Sequence, residues 1–162
     1  ITVYASAFAP LPNPFVGTDG APVQELELPD GARGRPREGL KLFEARCAAC
    51  HPPPHFSLDQ DPATRGRHLD VGTPRGLPLR IELQDLFFKG VGTPSLLGAW
   101  DVFPMLTSGA AGFGVEGNAR LKVSSRFPLR EVLERYSGPA HGNAQALSPD
   151  QRNDLLAYVM SL

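Results

Sequence analysis

Apolar residues recur at helical spacing just before the two cysteines of the chain. Leu40, Phe43 and Cys47 lie at positions i, i+3 and i+7, whereas the charged residues between them fall on other faces. This pattern predicts a short helix over residues 38–46 that carries Phe43 and the cysteines to one side. The three prolines at 52–54 cannot continue a helix, so the helix must end before them.

Three later segments also carry helix signals. Thr93-Pro94 predicts a short helix up to Trp100, with threonine as the N-cap and proline in the first position. After Phe127-Pro128, apolar residues at i, i+3, i+4 and i+7 predict a second helix that ends at Ser137-Gly138-Pro139. The clearest signal is Ser148-Pro149-Asp150-Gln151, a capping box that begins an apolar face running to the chain end. We expect Met160, inside that last helix, to belong to the core.

The composition is that of one globular domain with many backbone breakers. Of 162 residues, 41% are hydrophobic and 20% are charged. The 17 glycines and 17 prolines predict short helices joined by long loops, including the glycine-rich residues 109–117. A formal net charge of −1 gives no basic surface for nucleic acid, and no apolar run is long enough to cross a membrane.

The first 36 residues differ from the rest. Residues 1–30 contain acidic side chains and no lysine or arginine, and prolines recur throughout residues 1–36. Such a segment favours extended conformation. We therefore predict an extended, Pro-rich acidic arm or linker over 1–36 and a folded domain over 37–162. Because the first residue is Ile1, we expect a processed chain or a piece of a longer polypeptide.

The two cysteines form the pattern Cys47-Ala48-Ala49-Cys50-His51, the attachment signature of c-type haem. Cysteines three residues apart on a helix face one side, so both sulfurs can reach the vinyl groups at one porphyrin edge. His51 then binds the iron from the proximal side. The motif predicts one covalent haem c held by Cys47 and Cys50, with His51 as an axial ligand and Phe43 packed against it.

Three alternative roles for the cysteine pair fit the sequence less well. A thioredoxin-like pair needs a strand before it and a helix after it, whereas prolines follow this motif. A zinc site needs four ligands, and the spacing of His55 and His68 matches no common zinc module. A disulfide between Cys47 and Cys50 would close a tiny loop and stabilise the fold little.

The order of the predicted elements resembles the class I cytochrome c layout, with the haem motif on the first helix and an amphipathic helix last. Over residues 37–162 the chain resembles the C-terminal-type haem domain of the bacterial di-haem cytochrome c peroxidase family. The resemblance is carried in order by GLKLFEARCAACH, DVGTP, VGTPSLLGAW, FPMLTSGAA, LREVLERY and HGNAQALSPDQRNDLLAYVMSL. It implies a mainly α, class I cytochrome c-like domain with short helices, long loops and the extended arm outside it.

Two departures from that family concern its enzymatic activity. The chain has one C-x-x-C-H motif, whereas the peroxidases of the family use two haems. Thr107 also stands where family members often carry a histidine. We therefore expect no peroxidase activity from this chain alone.

The second axial ligand has several candidates. The family layout implies a ligand between the penultimate and last helices, where His141 sits in a turn bounded by Gly138-Pro139 and Gly142. The alternatives are Met105, a thioether ligand typical of high-potential cytochromes, and Tyr136 at the end of the preceding predicted helix. His68, His55 and an open site are also compatible with the sequence.

These observations predict electron transfer by a single haem c, as a domain or subunit of a larger redox assembly. The alternative is the haem module of a di-haem peroxidase-like enzyme that acts with a second haem elsewhere. The expected partner is a redox protein or a neighbouring redox domain. Because haem c attachment implies export, we expect a periplasmic or extracellular location.

Overall fold

The computed structural model describes residues 12–67, 69, 92–100 and 128–162. Met105, Thr107, His68 and the predicted loop 109–117 lie outside the described residues. The elements are strands β1 (Leu26–Glu27) and β2 (Arg33–Gly34), helix α1 (Pro36–Arg46), helix α2 (Pro128–Glu131) continuing as a π-helical turn (Val132–Tyr136), a 3-10 turn (Ala144–Ala146) and helix α3 (Pro149–Met160). Within these ranges the secondary structure is therefore a few short helices and one two-stranded sheet.

Helices α1 and α3 form the centre of the described fold, and they cross at a glycine. The backbone of Gly39 approaches the Asp154 carbonyl and Tyr158 so closely that a Cβ at Gly39 would lie 2.8 Å from the Tyr158 Cβ. One turn further along α1, the Phe43 ring lies 5.1 Å from the Tyr158 ring, centroid to centroid. The absence of a side chain at Gly39 thus permits the close crossing of the two helices.

Helix α1 begins and ends nearly where the sequence predicts. It starts with Pro36 in the first turn, where a missing N–H costs nothing, and ends at Arg46, so the cysteines follow the helix. Phe43 is buried, with 1% of its surface exposed, as the apolar stripe predicts. Leu40 departs from that prediction because its surface is 37% exposed. Gly39 rather than Leu40 occupies the helix crossing.

Residues 13–35 pack against the helices, which differs from the arm or linker expected over residues 1–36. Strands β1 and β2 form an antiparallel hairpin in which Leu26 pairs with Gly34, and β2 packs on α3. Leu26 and Leu28 are buried in the core, and the Asn13 side chain donates a 2.9 Å hydrogen bond to the Met160 carbonyl. The prolines do not prevent this packing, because they stand outside the two strands.

A buried carboxylate fastens the hairpin to α3. Asp154 is only 5% exposed and accepts hydrogen bonds from the backbone N–H of Arg35 at 2.8 Å and from its guanidinium at 2.7 Å. Because Arg35 precedes α1 directly, this one side chain joins β2, α1 and α3.

Two of the later helix predictions are confirmed, and one is wrong. The Ser148 hydroxyl accepts from the Gln151 N–H and the Gln151 side chain from the Ser148 N–H, so the predicted capping box is formed. The second helix begins at Pro128, although its last turn is π-helical. Residues 92–96 are not helical, and helix begins only at Ala99. The Thr93 carbonyl accepts from the Ser57 hydroxyl and the Ser95 hydroxyl donates to the His55 carbonyl, so tertiary hydrogen bonds replace those of a helix in this segment.

The core lies between α1, α3 and the hairpin. Met160 belongs to it with 1% of its surface exposed, which confirms the sequence prediction for this residue. Of the helices in the described part of the chain, none combines the length and the apolar character that a membrane crossing requires.

Candidate functional site

An apolar cavity of about 650 Å³, measured out to its open mouth, lies between the end of α1, helix α2, the turn after α2 and helix α3. The enclosed part of the cavity measures about 90 Å³, less than cofactor sites usually have, so a cofactor bound there would also occupy the open mouth. Its wall is formed by Phe43, Arg46, Cys47, Cys50, His51, Leu96, Leu129, Val132, Leu133, Ser137, His141, Gly142, Ala144, Leu155 and Val159. The cysteine motif and the favoured second-ligand candidate therefore meet at one cavity.

The two cysteines reach the cavity from a turn rather than from the helix itself. Cys47 caps α1, and its N–H donates to the Phe43 carbonyl at 2.7 Å. The N–H groups of Cys50 and His51 both donate to the Cys47 carbonyl, at 3.0 and 2.8 Å. The expectation of a helical motif thus needs correction, but these tight turns still direct both cysteines and His51 to the same cavity.

The Cys47 thiol is buried enough to be a weak acid. Burial raises its pKa to about 11, against a smaller lowering by the positive charge of Arg46. Reactive cysteines instead have lowered pKa values. In the absence of a bound group, Cys47 is therefore a protonated thiol.

His51 is oriented by a backbone carbonyl. The residue is 8% exposed, and its Nδ1 lies 3.0 Å from the Phe56 carbonyl oxygen. Phe56 has a left-handed backbone, with φ of 51°. Because a carbonyl can only accept, Nδ1 carries the proton and the lone pair of the neutral ring is on Nε2. This is the arrangement typical of metal-binding histidines.

Burial also keeps the His51 ring neutral. Burial lowers its pKa, the nearby His141 lowers it further, and the hydrogen bond to the Phe56 carbonyl acts in the opposite direction. Only a neutral imidazole can bind iron, so the environment favours the form that a ligand must have.

His141 lies on a turn after the π-helical residues, in the cavity wall. Its N–H donates to the Gly138 carbonyl at 2.8 Å, as does the N–H of Asn143 at 2.9 Å. The His141 Nδ1 lies 3.4 Å from the Ser137 hydroxyl oxygen. The structure thus places a second imidazole at the cavity that His51 lines.

The remaining candidates for the second ligand have different positions. Tyr136 is the last residue of the π-helical turn, directly before Ser137. His55 is exposed and is not part of the cavity wall. Met105 and His68 lie outside the described residues. His141 is therefore the candidate whose place at the cavity the structure describes.

Phe43 forms part of the cavity wall next to Cys47. Its ring makes an edge contact with Phe56 at a centroid distance of 5.7 Å and a tilted contact with Tyr158 at 5.1 Å. These contacts fix the ring between α3 and the segment that orients His51. The sequence prediction that Phe43 shares a side with the cysteines agrees with this placement.

Much of the cavity wall was not predicted from the sequence as part of the site. Leu129, Val132 and Leu133 follow the predicted apolar stripe of the second helix, and that stripe was the signal that could have found them. Leu155 and Val159 come from the predicted apolar face of the last helix in the same way. Ser137 carried no signal, because a serine before a glycine and a proline is an ordinary helix stop.

The donors at this cavity determine which cofactor it could hold. In the described residues, no three or more His, Cys, Asp or Glu side chains gather where they could hold a metal ion. The cavity instead offers two imidazoles and two thiols within an otherwise mostly apolar wall. A haem c needs these same groups: two thiols at one edge and imidazole for the iron.

Comparison with known proteins gives no further assignment. No protein-family model, curated protein or solved structure matches the chain.

Proposed function

We propose that this chain is a c-type cytochrome domain that holds one covalent haem and transfers single electrons. The observation that carries the proposal is that Cys47, Cys50, His51 and His141 all line one apolar cavity. The haem, when bound, supplies the one-electron couple of its iron. The chain supplies attachment, ligation and the surroundings that tune that couple.

Four polar residues of the cavity have separate tasks in this proposal. The thiols of Cys47 and Cys50 form the two thioether bonds to the porphyrin edge. His51 would bind the iron through Nε2, because its Nδ1–H donates a hydrogen bond to the Phe56 carbonyl. His141 would supply a second ligand to the iron.

The apolar wall limits the contact of this site with water. Phe43, Leu155 and Val159 are each at most 5% exposed and face the cavity. An apolar, low-dielectric shell is one of the means by which proteins set a haem potential and limit solvent access.

The position of the cysteines argues against a thiol–disulfide function. Reactive dithiol motifs use a thiolate with a lowered pKa, often at a helix N-terminus. Here Cys47 follows the C-terminus of α1, and burial raises its pKa to about 11. Such a thiol is a poor nucleophile but can still be a site of cofactor attachment.

The setting we propose for this domain follows from covalent haem attachment and from the family resemblance. Haem c attachment implies an exported protein, periplasmic or extracellular. A single haem stores one electron, so a redox protein or a neighbouring redox domain must supply and accept electrons.

The first experiment tests attachment. The chain is produced in a host that attaches haem c, and the purified protein is extracted with acid and organic solvent. We expect the colour to stay with the protein and its mass to exceed that of the chain by one haem. The Cys47→Ala/Cys50→Ala variant should lose the colour on extraction. A colourless wild type that binds one equivalent of zinc would contradict the proposal.

The second experiment tests electron transfer. The reduced protein is mixed in a stopped-flow instrument with an oxidised cytochrome and, separately, with hydrogen peroxide. We expect oxidation by the cytochrome and no multiple-turnover reduction of peroxide. Fast peroxide turnover by this chain alone would contradict the assignment and favour the peroxidase alternative.

A further inference from the structure

The Nδ1 atoms of the two histidines at the cavity lie near oxygen atoms of different kinds. A backbone carbonyl lies 3.0 Å from the Nδ1 of His51. A side-chain hydroxyl, that of Ser137, lies 3.4 Å from the Nδ1 of His141. Ser137 is 1% exposed and lines the cavity, yet the proposed function gives its side chain no task.

We propose that Ser137 is a positioning residue for His141. The Ser137 hydroxyl oxygen accepts a hydrogen bond from the His141 Nδ1–H, so that the Nε2 lone pair is available to the iron. The inference rests on the proposed function, because it requires haem iron in the cavity. It goes further by identifying the residue that sets how firmly the second axial ligand binds.

The proton positions support this role. A neutral imidazole has one N–H, and a ring bound to iron through Nε2 must carry its proton on Nδ1. Metal-bound histidines almost always donate that proton to a nearby acceptor, which fixes the orientation of the ring. The Ser137 oxygen is an acceptor at hydrogen-bond distance from this nitrogen.

The main chain around Ser137 is fixed independently of its hydroxyl. The Ser137 carbonyl accepts from the Gln145 N–H at 3.2 Å, and the next carbonyl, of Gly138, accepts from His141 and Asn143. A Ser137→Ala substitution therefore removes the hydroxyl and leaves the turn hydrogen bonds in place. This separates the positioning role from the structural role of the turn.

The turn that carries His141 is seated on the cysteine motif. Gly142 has a φ of 68°, and a Cβ there would lie 3.2 Å from the Arg46 carbonyl oxygen and 3.6 Å from the Cys47 sulfur. The Arg46 guanidinium donates to the Gly142 carbonyl at 3.3 Å. His141 thus has a fixed backbone, and Ser137 contacts its ring at Nδ1.

The difference between the two acceptors has a functional consequence. A carbonyl in the backbone cannot rotate away from His51, whereas a serine hydroxyl can rotate about its own bond. Added ligands such as cyanide should therefore replace His141 and not His51, and the Ser137 hydroxyl should slow that replacement.

The test measures the rate of cyanide binding to the oxidised holoprotein, together with its absorption spectrum and midpoint potential. In Ser137→Ala we expect the rate to rise about threefold to tenfold, the gain from removing one neutral hydrogen bond. The midpoint potential should also rise, because an imidazole that no longer donates its Nδ1 proton is a weaker electron donor. Ser137→Thr, which keeps a hydroxyl, should restore the wild-type rate.

The control is Ser161→Ala, which removes the hydroxyl that donates to the Tyr158 carbonyl at the far end of α3. It should leave the cyanide rate and the potential unchanged. An unchanged melting temperature of Ser137→Ala would confirm that the hydroxyl acts on the ligand and not on the fold.

A third variant, His141→Ala, separates the possible failures. If the wild type attaches no haem, the proposed function fails. If it attaches haem but His141→Ala binds cyanide no faster, His141 is not the ligand and this inference is overturned while the haem assignment stands. If His141→Ala opens the site and Ser137→Ala changes neither rate nor potential, the role of Ser137 alone is refuted.

Discussion

The glycine at the crossing of α1 and α3 offers the sharpest test of the fold. A Gly39→Ala substitution places a methyl group 2.8 Å from the Tyr158 Cβ and closer still to the Asp154 carbonyl oxygen. Carbon atoms in ordinary contact are separated by about 3.5–4.0 Å. The obstacle is mainly the backbone of α3, which cannot rotate out of the way as a side chain can, so the two helices must separate.

Two effects of opposite sign compete in this substitution. Replacing glycine by alanine inside a helix stabilises it by about 1 kcal/mol. Overpacking a close contact usually costs about 1–3 kcal/mol, and the rigid neighbour puts Gly39 at the upper end of that range. We therefore expect a net loss of about 2 kcal/mol, which for a chain of this size lowers the melting temperature by about 4–8 °C.

The assay is thermal unfolding of the holoprotein followed by far-ultraviolet circular dichroism. The matched control is Gly138→Ala, because a Cβ at Gly138 meets nothing nearer than the Gln145 side-chain oxygen at 3.8 Å. The control should unfold at the wild-type temperature or slightly above it. If Gly39→Ala melts higher than the wild type, helix propensity dominates and the close crossing of α1 and α3 is refuted.

Three further predictions concern buried ionisable groups. Asp154→Ala leaves the backbone N–H of Arg35 without its carboxylate acceptor. It should lower the free energy of unfolding, measured in urea, by about 2–3 kcal/mol. A loss well below about 1 kcal/mol would contradict the buried contact. In the cofactor-free chain at about pH 8, iodoacetamide should alkylate Cys47 about a hundredfold more slowly than an unhindered thiol, as read by mass spectrometry, because burial raises the pKa to about 11. Burial lowers the pKa of His51 in the folded state. Below about pH 6.5 the unfolded chain therefore binds more protons than the folded chain, and the free energy of unfolding of the cofactor-free protein should fall on acidification. His51→Gln should remove that part of the pH dependence. If the urea midpoint of His51→Gln fell on acidification as much as that of the wild type, the prediction would be wrong.

Local signals in the sequence were sufficient to predict the helices that surround the site. The capping box at Ser148 satisfies backbone donors within a few residues, so it acts regardless of the rest of the fold. Pro36, predicted from the sequence to lie in the arm, is instead the first residue of α1. The hairpin was not predicted, because the prolines of the first 36 residues indicated an extended arm. The alternation of Leu26 and Leu28 with glutamates, followed by Pro29-Asp30-Gly31, was the signal that would have indicated it.

Features that depend on distant contacts were beyond a local pattern. Thr93-Pro94 has the composition of a helix start, but the carbonyl of Thr93 is taken by Ser57, which is 36 positions away in the chain. Leu40 fits the apolar stripe of α1 but remains exposed, because Gly39 sits at the crossing with α3. For the candidate site, the motif predicted the residue types, and the turn at His141 was reached through the family resemblance. The hydroxyl of Ser137 could be identified only from its distance to that ring.

Two adjacent leucines of α3 provide a test of whether the cavity holds the cofactor. Leu155 and Leu156 are 1% and 0% exposed, but of these two only Leu155 lines the cavity. Replacing either with alanine should lower the free energy of unfolding by about 2–5 kcal/mol, because each substitution leaves a space in the core.

Only Leu155→Ala enlarges the cavity and admits water beside a bound haem. That water would stabilise the more highly charged oxidised iron. We therefore expect a lower midpoint potential in Leu155→Ala and an unchanged one in Leu156→Ala, measured by redox titration of the absorption spectrum. Equal shifts in the two variants would show that the haem does not lie against Leu155, and this cavity would then no longer be its site.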